Sequence, residues 1–99
     1  MTLVDMVNNI VSLENKLMQF NPNFRARINI IINNKNHWYM GHSLEYIEND
    51  LTEKYGTVFF RELERTDFTI TLTNSHTYET KNLESFGESY QVSLQLEIE

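Results

Sequence analysis

Residues 90–98 alternate without exception between apolar and polar side chains. The apolar positions are Tyr90, Val92, Leu94, Leu96 and Ile98. Successive side chains of a β-strand point to opposite faces of a sheet, so this pattern predicts a strand with one buried face and one solvated face. Such a strand needs a sheet that is covered on one side only, which is typical of antiparallel sheets with helices on a single face.

Two segments have the apolar spacing of amphipathic helices. Residues 3–20 place apolar side chains three and four positions apart, and Thr2 and Asp5 resemble a capping box at the start of this run. Residues 44–55 repeat the spacing, and Gly56 is placed to end that helix in a left-handed conformation. The sequence therefore predicts two helices.

The other apolar runs predict β-strands. Residues 24–32 and 37–40 flank an asparagine-rich turn, which indicates a hairpin. Residues 57–63 and 68–72 are rich in β-branched and aromatic side chains and predict two further strands. Residues 75–81 are expected to form a short edge strand within an otherwise loop-like stretch, and Phe86 with Gly87 a turn before the last strand.

These elements predict an α+β fold with the order α-β-β-α-β-β-(β)-β. We expect a single small domain over residues 1–99, in which a mainly antiparallel sheet of four to five strands carries two helices on one face. A length of 99 residues fits one domain, and a hydrophobic content of 40 % is sufficient for a packed core.

Composition restricts the location and the chemistry. The chain has no cysteine, which excludes disulfides, thiolate nucleophiles and cysteine-based zinc sites. The first residues lack the basic and apolar pattern of a signal peptide, and no apolar run approaches the roughly 20 residues that span a bilayer. We expect a cytoplasmic protein, in the producing cell or in a host cell.

Negative charge is concentrated in the second part of the chain. The formal net charge is −6, and from residue 42 onward twelve acidic residues face four basic ones. Such a field repels nucleic acid and anionic lipid and attracts basic surfaces. The residues expected to bind a partner are Glu45, Glu48, Asp50, Glu53, Glu62, Glu64 and Asp67. The alternative is that these acids only keep the protein soluble, since exposed helix faces are normally charged.

Histidines and carboxylates offer two weaker hypotheses for metal chemistry. His37, His42 and His76 could meet at an ion, but the spacing of the first two fits neither one helix face nor one strand face. We expect no metal and no cofactor.

A nuclease-like triplet is the second of these hypotheses. Asp67, Glu79 and Lys81 resemble the arrangement of a large nuclease superfamily, in which two carboxylates hold a divalent metal and a lysine assists the attacking water. Thr66 stands where that superfamily has a proline, and an acidic chain is poorly suited to phosphodiesters. We expect no enzymatic activity.

An aromatic group lies close to two arginines in the sequence. Trp38, Tyr39 and Tyr46, with Arg25 and Arg27 on the outward side of the first strand, could stack nucleobases on a sheet face. Because the overall charge opposes nucleic acid, we favour a core position for Trp38 and one of the tyrosines.

In size, acidity and absence of cysteine the chain is similar in kind to small inhibitor proteins of phages and mobile elements, including anti-CRISPR proteins. This resemblance implies a partner among nucleic-acid-binding enzymes. We expect a non-enzymatic inhibitor or regulator that occludes a basic partner protein and contacts neither nucleic acid nor membrane directly. Two alternatives remain: a homo-oligomeric structural or adaptor domain, such as a homodimer, that associates through residues 90–98, and a metal-dependent nuclease.

Overall fold

The computed structural model describes residues 2–17, 19–20, 26–40, 44–68 and 80–98. The elements are α1 (Leu3–Leu17), β1 (Ala26–Ile32), β2 (Lys35–Tyr39), α2 (Leu44–Tyr55), α3 (Thr57–Arg65), β3 (Lys81–Ser85) and β4 (Glu88–Ile98). The α+β class and the antiparallel sheet of four strands are confirmed. Thr2 and Asp5 form the expected capping box, since each backbone N–H donates to the other side chain over 3.2 Å.

The strands lie in the order β2-β1-β4-β3. Ile30 in β1 pairs with His37 on one side and with Leu94 on the other, while Leu83 in β3 pairs with Tyr90. The strand that the alternation predicted, β4, therefore lies inside the sheet. Over residues 91–95 the alternation is confirmed, because Val92 and Leu94 are fully buried, Gln91 is exposed, and Ser93 and Gln95 are partly exposed.

The core lies between the helices and one face of the sheet. It contains apolar side chains from all three helices and from every strand, and Ile28, Ile30 and Ile32 of β1 form its floor. The helix side chains buried there are Leu3, Met6, Val7, Ile10, Ile47, Leu51, Phe59, Phe60 and Leu63. The opposite face of the sheet carries Arg27, Asn29 and Trp38 and bears none of these helices.

Both hairpins turn through two residues. Asn33 (φ 49°) and Asn34 (φ 66°) connect β1 to β2, and Phe86 (φ 51°) and Gly87 (φ 80°) connect β3 to β4. Positive φ at both central positions is the signature of a type I′ turn, whose twist matches that of the flanking strands. The predicted turns are confirmed at both places.

The prediction of a strand at residues 57–63 is wrong, because this segment forms most of α3. Phe59, Phe60 and Leu63 are buried at positions i, i+1 and i+4, which places them on one helix face. Gly56 adopts a φ of 96° between α2 and α3 and so ends one helix and begins the next. Burial of this apolar face outweighs the β-propensity of the local sequence.

The order of the described elements is thus α-β-β-α-α-β-β. Of the strand predicted at residues 68–72 only Phe68 is described, and it is buried outside any strand. A strand, β3, is found at Lys81–Ser85, in the stretch expected to be a loop, and of the edge strand predicted at residues 75–81 only residues 80 and 81 are described. The rest of both predicted strands lies outside the described residues.

Candidate functional site

All seven acids predicted to bind a partner lie in or directly after α2 and α3. We call residues 44–68 the acidic layer, since they contain seven carboxylates and three cationic side chains, a net charge of −4. The two helices pack against each other on the same face of the sheet. The acidic layer therefore lies on the helix side of the sheet.

The four acids of α2 do not share one face of the helix. Glu45 and Glu53 are exposed, and neither has an ion-pair partner among the residues that the structure describes. Glu48 lies on the flank that faces α3, with its Oε1 4.0 Å from Arg61. Asp50 lies on the opposite flank, which faces β2.

The acids of α3 are drawn into ion pairs along their own helix. Glu64 lies 3.1 Å from Arg61, and Glu62 lies 3.4 Å from Arg65. Asp67 follows the helix and is exposed. Exposed pairs at this spacing contribute only about 0.3–0.5 kcal/mol each to stability, so their main effect is to neutralise the cations of the layer.

Asp50 joins the acidic layer to the sheet. The hydroxyl of Tyr39 donates a hydrogen bond of 2.7 Å to Asp50 Oδ2, and Lys54 Nζ lies 3.0 Å from Oδ1. Burial alone would raise the pKa of Asp50, but hydrogen bonds from Tyr39 and Lys54 outweigh burial and lower it. Burial, together with the bond to Asp50, raises the pKa of Tyr39 far above its usual range. Asp50 therefore holds the fold together as well as adding charge.

His37 is held by a second polar contact between the sheet and α2. Its Nδ1 lies 3.1 Å from the carbonyl oxygens of Ile30 and Lys35, both of which can only accept. In the neutral ring Nδ1 therefore carries the hydrogen, and Nε2 can accept from the hydroxyl of Tyr55, whose oxygen lies 2.9 Å away. Burial raises the pKa of Tyr55. These contacts engage both ring nitrogens of His37 within the fold.

The residues of the two metal hypotheses are only partly described. His42, His76 and Glu79 lie outside the described residues. Within the part that the structure covers, no three histidine or acidic side chains are grouped as they would be around a metal ion. Asp67 and Lys81 lie at the end of α3 and at the start of β3 respectively.

The aromatic group divides between the two faces of the sheet. Tyr39 is buried against the helices, and the exposed Tyr46 contacts it edge-on with ring centroids 6.1 Å apart. Trp38 lies on the opposite face and is 46 % exposed, so its expected core position is wrong. The guanidinium of Arg27 lies 4.9 Å from the centroid of the Trp38 ring, a cation–π contact. Arg25 lies outside the described residues.

The tip of the β3–β4 hairpin was predicted as a turn but not as a surface for binding. Phe86 is 87 % exposed there, more than any other large apolar residue described. The sequence carries one signal of it, an aromatic residue directly before a glycine between two short alternating runs.

No enclosed pocket is found among the described residues, and none of their helices is long and apolar enough to cross a membrane. Comparison of the sequence and the structure with protein-family models, curated proteins and solved structures gives no match.

Proposed function

We propose that this chain is a non-catalytic binding protein that acts in the cytoplasm as an inhibitor or regulator and covers the basic groove of a nucleic-acid-handling protein. The observation that carries the proposal is the electrostatic state of the acidic layer. Its three cations, Lys54, Arg61 and Arg65, each lie within 4.0 Å of a carboxylate, so no cation of the layer offsets the exposed Glu45 and Glu53. A surface of this kind attracts basic groups.

Glu45 and Glu53 define how such a partner would dock. Eight residues of helix separate them, which is about 12 Å along the axis at about 1.5 Å per residue. That distance exceeds the Debye length of about 8 Å at physiological ionic strength, so the two carboxylates act as separate points of contact. A groove lined with lysine and arginine along its length offers basic groups at both points.

The size and composition of the chain support the same proposal. Small inhibitors of phages and mobile elements, including anti-CRISPR proteins, are similar to it in length and acidity. Such inhibitors often block nucleic-acid-binding enzymes, whose grooves must be basic to hold a polyanion.

The test compares two pairs of substitutions that change the net charge equally. Glu45→Gln with Glu53→Gln removes two negative charges from the acidic layer, whereas Asn8→Lys with Asn15→Lys adds two positive charges to exposed positions of α1. The partner is first isolated from the producing cells on immobilised protein, then titrated with each variant at several salt concentrations. Asp50 is left unchanged, because it accepts hydrogen bonds that hold the fold.

We expect the glutamine pair to weaken binding at least about tenfold and to reduce its dependence on salt, since exposed charges are screened by ions. The lysine pair should bind nearly as the wild type does. Equal effects of the two pairs, or affinity that does not change with salt, would contradict the proposal.

Association through residues 90–98 is the second candidate. β1 already pairs with one edge of β4 over Val92–Ile98. On the other edge of β4 the pairing with β3 reaches only to Val92, so a second copy would have to pair there, along residues 93–98. Sedimentation across the micromolar range tests this candidate, and a monomer throughout would contradict it.

A further inference from the structure

The two hairpin turns both have positive φ at their two central positions but differ in sequence. In the β1–β2 turn both positions with positive φ are asparagine, a residue that tolerates left-handed geometry because its short side chain can bond locally. In the β3–β4 turn the first of these positions is Phe86, with a φ of 51°. Positive φ is a genuine outlier for a bulky residue. Phe86 is therefore energetically unfavourable at this turn position. Asparagine would adopt the same positive φ more easily, as it does in the β1–β2 turn.

Packing does not explain Phe86 either. Its side chain is 87 % exposed and belongs to no part of the core. Exposure of an aromatic side chain to water is unfavourable, and the left-handed backbone adds strain. Neither the stability nor the turn geometry of the fold accounts for a phenylalanine at this position.

The hairpin presents Phe86 away from the rest of the sheet. Ile32 pairs with Val92, and Asn33 in the β1–β2 turn bonds to Gln91. Residues 86–90 therefore extend past the β1–β2 turn, by about 10 Å at about 3.4 Å per residue.

The helix side of the hairpin is firmly packed up to the turn. Leu83 and Ser85 are buried, and the ring of Tyr90 lies 5.0 Å from that of Phe59 and 5.8 Å from that of Tyr55, measured between centroids. Both contacts are close to edge-on, a favoured geometry for aromatic pairs. Phe86 thus stands at the tip of a stem that is anchored to the helices.

Carboxylates flank the tip on both faces of the hairpin. Glu88 is paired in register with the buried Ser85 and so lies toward the helix side, whereas Glu84 lies on the opposite side. Both are exposed, and Glu88 accepts a hydrogen bond of 2.7 Å from the hydroxyl of Tyr90. Two carboxylates beside the aromatic ring oppose insertion into an anionic membrane and favour basic groups around the ring.

We infer that Phe86 is an anchor that inserts into an apolar pocket of a protein partner, while Glu84 and Glu88 contact basic side chains at the rim of that pocket. Aromatic residues are enriched at the buried centres of interfaces, where few side chains carry most of the binding energy. The inference rests on the proposed function only in assigning a basic protein as the partner. Its contact residues are separate from those of the acidic layer.

The experiment places the photo-cross-linking residue p-benzoylphenylalanine at position 86 of the full chain, and in a control protein at position 11, where Val11 is exposed on α1. A partner protein that cross-links to position 86 but not to position 11 is then purified. It is titrated with wild type, Phe86→Asn and Phe86→Leu. Phe86→Asn gives this turn the residue found at Asn33 and so relieves the backbone strain.

We expect Phe86→Asn to raise the midpoint of thermal unfolding and to weaken binding at least about tenfold, because truncation of an interface anchor typically costs that much or more. Phe86→Leu keeps an apolar side chain and should bind more tightly than Phe86→Asn. Absence of an adduct specific to position 86, or unchanged binding by Phe86→Asn, would overturn the inference.

Two further arms separate the other outcomes. Cosedimentation with phosphatidylcholine vesicles containing phosphatidylserine, if lost in Phe86→Asn, would overturn the inference and assign the tip to a membrane instead. The glutamine pair at Glu45 and Glu53 is titrated in parallel against the same purified protein. If the glutamine pair weakens binding and Phe86→Asn does not, the acidic-layer proposal is supported and the anchor inference is contradicted. If Phe86→Asn weakens binding and the glutamine pair does not, the anchor inference is supported and the acidic-layer proposal is contradicted.

Discussion

The backbone N–H of Gln91 donates a hydrogen bond of 2.9 Å to the side-chain Oδ1 of Asn33, and the backbone N–H of Asn33 donates one of the same length to the carbonyl oxygen of Gln91. This reciprocal pair continues the β1–β4 register for one residue beyond Val92, where the strands themselves stop pairing. Asn33 thus serves both as a turn residue and as a clamp between two distant parts of the chain.

Replacement of Asn33 by glycine separates these two roles. Glycine keeps the tolerance for positive φ but removes the acceptor for the Gln91 N–H, so we expect a loss of about 0.5–1.5 kcal/mol in the free energy of unfolding. Urea denaturation measures the loss. Asn34→Gly is the control, because it changes the other turn position and leaves the clamp intact; equal losses in both variants would show that the clamp contributes nothing.

The contact between Tyr39 and Asp50 should make stability depend on acid pH. The pKa of Asp50 is lower in the folded state than the usual value of about 3.9 in an unfolded chain, so its contribution is present above about pH 4 and is lost as the pH falls through the folded-state pKa. Tyr39→Phe removes one hydrogen bond to the charged carboxylate and should cost about 1–2 kcal/mol at pH 7.

We expect that cost to shrink as the pH falls below about 4, because a protonated Asp50 is a weaker acceptor. Urea midpoints of wild type, Tyr39→Phe and Asp50→Asn between pH 7 and pH 2.5 provide the measurement. A cost of Tyr39→Phe that stays constant over this range would show that Asp50 does not carry the effect.

Gly56 should be intolerant of any side chain although space is available. An added Cβ would meet no atom within 4 Å, but the φ of 96° is strained for every L-residue. We expect Gly56→Ala to destabilise the fold by about 1–3 kcal/mol, the cost of a sparsely populated backbone conformation. Thr57→Ala, at the exposed first residue of α3, is the control. An increase in stability on Gly56→Ala would indicate that α2 and α3 are not separated by this break.

We predict no divalent-metal-dependent cleavage of DNA or RNA. A nuclease must hold a polyanion, and the residues from 42 onward, which include Asp67, Glu79 and Lys81, carry twelve acids against four bases. The assay uses single- and double-stranded substrates in magnesium or manganese. Cleavage that disappears in Glu79→Ala, with an unchanged circular dichroism spectrum, would place the nuclease hypothesis first.

Periodicity in the sequence is sufficient to predict β1 and β4 but not α3. The alternation in residues 90–98 fits only a strand, whereas Phe59, Phe60 and Leu63 suit a buried helix face and their β-prone neighbours suggest a strand. What decides for a helix is tertiary structure: Gly56 separates α3 from α2, and the three side chains are buried in the core shared by the helices and the sheet. Local propensity predicts neither the break at Gly56 nor the burial of these side chains.

The surfaces were predictable in composition but not in geometry. The sequence places Glu45, Glu48, Asp50 and Glu53 on one helix, yet Glu48 meets Arg61 only because the next segment is helical. Asp50 meets Tyr39 only because β2 lies beside α2. The exposure of Phe86 likewise depends on which face of β3 is buried. β3 has only five residues, and so short an alternation does not predict which face that is.

The interior position of β4 has a consequence for how the protein is made. About 70 residues separate Ala26 from its partner Ile98, so at a translation rate of about 5–20 residues per second the ribosome delivers that partner several seconds after β1. Until then, the edge of β1 that pairs with β4 has no partner strand in the described sheet, and a two-stranded hairpin on its own is marginally stable. Within β1, residues 28–32 are rich in isoleucine and carry no charge, and such a segment is the kind that aggregates when exposed. The nascent chain is therefore prone to aggregation for a time that is set by the rate of protein synthesis. Slower synthesis should lower the yield of folded molecules.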